Sequence, residues 1–365
     1  MKQTYFITGF PGFLAEQLLI QLFNDYPLEI NHVYLLTLPD TKATAQTRLK
    51  YFVKDNDLSF DNFSLIEGDI TKPNIGITSS AKTFVKEITH VFHLAAIYDL
   101  AVPKELAYRV NVTGTANVNT WVQNLPNLKR YVYFSTAYIS GQQEGTIYET
   151  DLIHQELFKN HYEETKYLAE ISVEALKDKL PLTIIRPGVV KGDSRTGKTT
   201  KFDGLYFLLN FFDKLRFLPI FPMIGNKEVE GNFVPSDYII KATSFLAINN
   251  VGINKTYHLT DPNPYLMSEI YTLLLAEYLN RKPSFYIPSS LTKQVLGSSN
   301  LRKWLQIEQE AIDYFNYDTH YDTTLAQKDL SIGNIKCPDL KATIPSMVNF
   351  YRKYKDDLEK QINII

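Results

Sequence analysis

Short, continuously apolar runs recur through the first half of the chain, each followed by a stretch in which apolar positions return every three or four residues. The runs are Thr4-Tyr5-Phe6-Ile7, His32-Val33-Tyr34-Leu35-Leu36, Phe63-Ser64-Leu65-Ile66, His90-Val91-Phe92-His93-Leu94, Tyr131-Val132-Tyr133-Phe134 and Leu182-Thr183-Ile184-Ile185. Strands of this kind are buried on both faces, and the helices between them supply the cover. The pattern therefore predicts an α/β fold, a Rossmann-type doubly wound parallel sheet. After Gly192 the alternation gives way to aromatic segments and prolines until Lys255-Thr256-Tyr257-His258-Leu259, which reads as a late strand rejoining the sheet. From Tyr265 helical patterns dominate, and Asp356 to Ile365 reads as a mostly polar helical tail. The expected organisation is a sheet domain of residues 1–191 plus about 230–262. A smaller, mostly helical C-terminal substrate lobe would take about 192–229 plus 263–365.

The first run leads through Thr8-Gly9-Phe10-Pro11-Gly12-Phe13-Leu14-Ala15 into the amphipathic Glu16-Gln17-Leu18-Leu19-Ile20-Gln21-Leu22. A strand, a tight glycine turn and a helix in that order make a dinucleotide site. Gly9 permits the turn, Gly12 lets backbone approach a pyrophosphate at the helix amino end, and Ala15 lets helix and sheet pack closely.

Composition narrows the class. With 365 residues, 44% of them hydrophobic and 21% charged, the chain can bury a large core, and a formal net charge of −2 argues against nucleic acid as a partner. The single Cys337 cannot form an internal disulfide. With a strand beginning almost at Met1 and no apolar leader, a reducing cytoplasm is the expected location. The aromatic stretches Leu205 to Phe212 and Phe217 to Met223 are too short and interrupted to span a bilayer, though they leave peripheral lipid contact open. No His/Cys/Asp cluster has ligand spacing, so no metal is expected.

Ser135-Thr136-Ala137-Tyr138 ends a strand, and Tyr162-Glu163-Glu164-Thr165-Lys166 opens a helical pattern that runs to Leu176. Tyr162 and Lys166 are four apart and share a helix face. An ammonium beside a phenol would favour the phenolate and lower its pKa, and Thr136 would help hold a substrate oxygen there. Tyr278 to Lys282 and Tyr351 to Lys355 show the same spacing, but only the first pair follows a strand-end threonine, so the others are assigned to surface helix faces.

With His93-Leu94-Ala95-Ala96, Asn111-Val112-Thr113-Gly114-Thr115 and Arg186-Pro187-Gly188 added, the chain resembles the extended short-chain dehydrogenase/reductase superfamily. Within it, Ala96-Ile97-Tyr98-Asp99-Leu100, Gly192-Asp193-Ser194-Arg195-Thr196-Gly197 and Phe233-Val234-Pro235-Ser236-Asp237-Tyr238 resemble the branch of fatty acyl-CoA reductases and thioester reductase domains. The resemblance covers residues 1 to about 262. It implies a catalytic set of Thr136, Tyr162 and Lys166, with Lys166 also bonding the nicotinamide ribose and Asn111 completing a tetrad or supporting the lysine through water. For the cofactor it implies Thr8, Gly9, Phe10, Pro11, Gly12, Phe13 and Leu14 at the pyrophosphate. Asp69 and Ile70 would lie by adenine, Leu94, Ala95 and Ala96 would follow the fourth strand, and Pro187, Gly188, Val189 and Val190 would border the nicotinamide. His93 is expected to be a hydrogen-bonded structural residue, and a monomer or homodimer is the family habit.

Cofactor choice is read at the end of the second strand, where an acid would bond the ribose diol of NAD and an arginine the 2′-phosphate of NADP. This chain has Thr37-Leu38-Pro39 there, and Leu38 departs from the branch's usual arginine. Arg48, with Lys42 assisting, occupies a second basic position of the branch, so NADPH is expected, with NADH as the alternative. Sugar dehydratases of the superfamily carry Asp and Glu after the strand-end threonine, where this chain has Ala137 and Tyr138.

Gly192 to Thr199 also satisfies the phosphate-loop pattern GxxxxGK[ST], but Pro187-Gly188 breaks the approach and no strand supplies a magnesium-binding Asp. Arg195, Lys198 and Lys201 could meet the phosphates of CoA or of a carrier arm. The expected reaction is NADPH-dependent reduction of an acyl thioester, CoA-linked or carrier-bound, to aldehyde or onward to alcohol. Phe202, Tyr206, Phe207, Phe211 and Phe212 are spaced so that some face an apolar pocket. The alternatives are a carbonyl reductase or alcohol dehydrogenase, a sugar-nucleotide epimerase, and a non-catalytic dinucleotide sensor.

Overall fold

The computed structural model describes residues 2–77, 84–224, 229–287, 292, 294, 296–308 and 317–362; parts of the expected second lobe, including the end of the tail, lie outside the described residues. In chain order the main elements are β1 Gln3–Thr8, α1 Phe13–Asp25, β2 Ile30–Thr37, α2 Lys42–Asp55, β3 Phe63–Glu67, β4 His90–His93, α3 Gly114–Val122 and β5 Arg130–Phe134. They continue with α4 His161–Glu174, β6 Leu182–Pro187, α5 Tyr206–Lys214, α6 Ser236–Ile248, β7 Lys255–Leu259, α7 Met267–Leu279 and α8 Leu340–Tyr354. The seven strands form one parallel sheet in the order β7-β6-β5-β4-β1-β2-β3. The chain turns back at β1, which lies beside β4 with Thr8 opposite His93.

Both faces of the sheet are buried, as the unbroken apolar runs require. Along β1, Tyr5 and Ile7 pack with α1, α2 and α6 on one face while Phe6 packs with Trp121 and Val173 of α3 and α4 on the other. The late strand does rejoin the sheet, pairing Lys255–Leu259 with Thr183–Pro187 at the edge.

A third core joins α5, α7 and α8, with Phe212, Tyr271 and Tyr351 fully buried in it. Not all of the C-terminal stretch belongs there. Thr319–Tyr321 pairs with Gly145–Ile147, and Ala326, Leu330 and Ile335 pack into the first core beside the sheet. Glu149 anchors this return by accepting N–H bonds from Leu325 (2.7 Å) and Ala326 (3.1 Å) at the amino end of the helix Thr324–Ser331. As far as residue 362 the polar tail is not helical: α8 ends at Tyr354, and Lys360 O accepts from Phe202 N while Lys360 Nζ donates to Thr199 O. Backbone that pairs with a neighbouring loop has no need of its own helix.

The two repeats of the tyrosine/lysine spacing are not surface helix faces either. Tyr278 donates to Asp213, and Tyr351 donates to Asn210, both inside the lobe, with Lys355 also on Asp213.

Candidate active site

The glycine turn sits where β1 and β4 part, the point at which a doubly wound sheet leaves a crevice. Gly9 has φ +91°, and a Cβ on it would stand 2.9 Å from Ala95 N; a Cβ on Gly12 would stand 2.6 Å from Gly9 O. The turn closes through Gly12 N to Gly9 O (2.7 Å), and α1 starts at Phe13 with no side chain capping its first turn. Uncapped N–H groups beside backbone that only glycine can form fit the pyrophosphate of a dinucleotide. Gly9→Ala is expected to cost about 1–3 kcal/mol of stability through strain at positive φ. It should also weaken dinucleotide binding, and a fluorescence titration with NADPH beside urea unfolding measures both.

Thr8, Leu94, Ala95 and Ala96 meet here. Thr8 Oγ1 accepts from Ala95 N (3.1 Å) and contacts His93 Nδ1 (2.8 Å), while His93 Nε2 contacts Thr115 Oγ1 (3.2 Å). Burial and the nearby Lys166 push the His93 imidazole down to about 3, so it is a neutral strut between β1, β4 and α3. At the end of β2, Leu38 is half exposed. Arg48 makes a two-pronged ion pair with Glu16 (2.5 and 2.7 Å) and Lys42 pairs with Glu67. Asp69 Oδ1 accepts from Thr71 N and Oγ1 (both 2.8 Å), and Ile70 packs on Gly114.

Thr136 caps the short turn after β5, its hydroxyl accepting from Tyr138 N and hydrogen-bonding the Tyr162 phenol near the start of α4. Asn160 sets that start by accepting from Glu163 N (2.9 Å). Lys166, one turn on, donates to Phe134 O (2.6 Å) and Tyr133 Oη (2.9 Å). The expected lowering of the phenol by the ammonium is not what this geometry gives. Burial raises Tyr162 to about 12, opposed by the Thr136 bond, and burial lowers Lys166 to about 7, opposed by Glu170. Sharing a helix face brings the stems together, but the ammonium is drawn inward to β5, and desolvation acts on each group separately.

Asn111 does not bond Lys166. It lies on a π-helical turn, Tyr108–Thr113, where its side chain accepts from Ile97 N (2.9 Å) and donates to Ile97 O and Thr165 Oγ1 (both 3.0 Å). It clips the strand-end loop to α4. Sequence reasoning missed the group that locks α4 to the sheet: Glu170 accepts from Arg186 Nε (2.8 Å) and Nη2 (2.6 Å) and from the Ser135 hydroxyl. Arg186 also donates to Glu149 O (3.3 Å) and contacts His258. The available signal was Glu170 one turn past Lys166 on the same face, together with an arginine at the end of an apolar strand.

The loop Gly192–Thr199 is not a phosphate loop. No helix follows it directly, Asp193 Oδ1 accepts from Thr196 N and Oγ1, and Asp237 accepts from Ser194 N and Oγ, so the turn is closed by its own carboxylates. Arg195 and Lys198 are exposed, and Lys201 donates to Glu359 O.

A cavity of about 980 Å³ begins at Thr136, Tyr162 and Gly188–Val190 and runs into the lobe. Phe207, Leu208 and Phe211 present one face of α5 to it, with Leu215 just past the helix end and Leu305 and Ile307 among the other walls. Phe202, Tyr206 and Phe212 point instead into the lobe core. Pro187 ends β6 just before the cavity wall. Among the described residues no cluster of His, Cys, Asp and Glu could hold a metal, and no helix is long and apolar enough to cross a membrane.

The sheet order and the glycine cradle define the class, a dinucleotide-binding fold of the extended short-chain dehydrogenase/reductase type. Residues 7–243 match the male sterility protein family, the NAD-binding family to which this chain belongs. Fatty acyl-CoA reductase 1 of Arabidopsis thaliana is 23% identical over 355 residues, covering 77% of this chain and 71% of that protein. Fatty acyl-CoA reductase wat of Drosophila melanogaster is 24% identical over 272 residues, covering 65% and 52%. The chain spans 61% and 65% of the length of two putative fatty acyl-CoA reductases of Drosophila melanogaster that it also matches, and about a quarter of the length of several larger relatives. Among solved structures, the terminal R domain of the myxalamid PKS-NRPS biosynthetic pathway superposes with a TM-score of 0.79 at 22% identity, covering 99% of this chain and 93% of that one.

Proposed function

We propose that this chain reduces an acyl thioester to the aldehyde with NADPH. The observation that carries the reading is the continuity of one cavity from the Thr136/Tyr162 hydroxyls to an apolar wall on α5, which suits a reactive carbonyl followed by an acyl chain. A bound reduced nicotinamide supplies hydride to the carbonyl carbon. The Thr136 and Tyr162 hydroxyls hold the carbonyl oxygen as charge develops, and Tyr162 donates a proton to it. A phenol raised to about 12 is fully protonated near neutrality, the form a reduction needs. Lys166, held by Phe134 O and the Tyr133 hydroxyl, would bond the ribose of a bound cofactor. Gly188 to Val190 would wall the nicotinamide of a bound cofactor, and Gly9 to Leu14 would hold its pyrophosphate. Relatives named as fatty acyl-CoA reductases and a structural neighbour described as a terminal R domain support a thioester as substrate.

The test is oxidation of NADPH and NADH by purified protein with acyl-CoA thioesters of graded chain length, with a carrier-bound thioester and with the matching aldehydes. Turnover of aldehydes alone would replace this reading with that of a carbonyl reductase. Binding without any turnover would favour the sensor. A sugar-nucleotide substrate is disfavoured by a cavity whose deep walls are Phe207, Leu208, Phe211 and Leu215.

NADPH is favoured because Leu38 itself offers no carboxylate to a ribose diol and Arg48 and Lys42 lie on the adjoining α2, while Asp40 in the turn after Leu38 is the nearest acid and argues for NADH. Arg48→Ala is expected to raise KM for NADPH about tenfold and leave that for NADH unchanged, consistent with loss of one charge-assisted phosphate contact. Equal KM changes for both cofactors would assign Arg48 to its Glu16 ion pair alone. Phe211 faces the cavity, so Phe211→Trp is expected to move the preferred acyl chain to shorter lengths in the same assay.

A further inference from the structure

Asp203 precedes α5 in the loop from Lys201 and is one of the residues lining the cavity that holds Thr136 and Tyr162. Its neighbour Gly204 runs so close to the sheet side that a Cβ there would stand 2.8 Å from Val189 Cγ1, beside the wall assigned to the nicotinamide. Tyr98, which lines the same cavity, interacts electrostatically with both Tyr162 and Asp203. Its own backbone N–H is the hydrogen-bond donor to this carboxylate; among the described residues no side chain donates to it. A carboxyl in a substrate cavity whose hydrogen-bond donor is its own backbone N–H keeps acceptor and donor capacity for a ligand there.

The thioester reading, on which this inference rests, leaves one proton without a source. Hydride adds to the carbonyl carbon and the Tyr162 proton goes to oxygen, giving a hemithioacetal. When the C–S bond breaks, the hydroxyl proton returns to the Tyr162 phenolate, the carbonyl re-forms as aldehyde, and the C–S electron pair leaves on sulfur. The balance still requires a proton for that sulfur. We propose that the Asp203 carboxylic acid supplies it, forming S–H as C–S breaks. Asp203 is left as carboxylate and is reprotonated by water.

Burial raises the Asp203 carboxyl to about 6, its own N–H and Lys201 opposing the rise. The other titratable groups facing it are Tyr98, with Asp99 beside it, from the loop after β4, and Tyr206 from α5; the phenols are held neutral by burial. A carboxyl of that kind retains an acid fraction near neutrality that an ordinary aspartate lacks.

Asp203→Asn separates the steps when three substrates of one acyl chain are compared: the CoA thioester, a thiophenyl ester whose thiolate leaves unaided, and the aldehyde, which has no leaving group. The expected result is a loss of roughly 10- to 100-fold with the CoA thioester. Rates with the thiophenyl ester and aldehyde should stay near those of the unaltered protein, which also shows that the variant is folded. The fall in CoA-thioester kcat/KM as pH rises through about 6 should be present in the unaltered protein and absent from the variant. Asp203→Glu, which keeps an acid, should retain most of the CoA-thioester rate. Equal loss with all three substrates, or no loss with any, overturns the assignment. Unaltered protein that reduces aldehydes and neither thioester overturns the thioester reading and this step with it, a distinguishable result.

Discussion

Tyr162→Phe is expected to lower thioester turnover by roughly 10²- to 10⁴-fold while leaving dinucleotide affinity almost unchanged. The phenol is the one acid whose hydroxyl both meets Thr136 and borders the cavity, and removing its oxygen takes away a proton donor and an oxyanion contact together. The ring itself stays, so helix α4 and the cofactor walls keep their packing. Single-turnover kinetics with NADPH, beside a binding titration, read the two effects independently. Because burial already holds Tyr162 neutral to about 12, no alkaline fall in the reduction rate should come from this group below about pH 11. Turnover that survives the substitution would remove Tyr162 from the mechanism and return the site to cofactor binding alone.

Glu170→Ala should destabilise the fold by about 3–5 kcal/mol, because it strands the Arg186 guanidinium in a fully buried position. Arg186 and Glu170 are exposed by only 1% and 0%, so water cannot replace the lost partner. Replacing both residues by uncharged ones, Glu170→Gln with Arg186→Met, is expected to cost much less, since no unpaired charge remains. Urea unfolding of the single and double variants measures the difference, and equal losses would show that the pair contributes through packing. The double variant should still lose activity. Ser135, which precedes Thr136, donates to Glu170 while Lys166 sits one turn earlier on the same helix, so this carboxylate aligns strand end and helix.

The sequence by itself determined the sheet and the cradle. Continuous apolar runs can be satisfied only between two helical layers, and the glycines at 9 and 12 stand where backbone must turn and be approached, both properties of local chain chemistry. The threonine, tyrosine and lysine positions were legible for the same reason, since a strand end and a helix face are set within a few residues. Tertiary structure decided what those groups experience. Burial, which no spacing encodes, pushed Tyr162 up and Lys166 down instead of coupling them, and it drew the ammonium to Phe134 O. Long-range contacts decided the rest. Arg48 found Glu16 on α1, Asn111 found Ile97 and Thr165, and the tail from Asp356 paired with the 199–202 loop in place of helix. Asp203 was unremarked in the sequence because an aspartate before a helix is common; only the folding of its loop against Val189 brings it to the cavity that also holds the reactive hydroxyls.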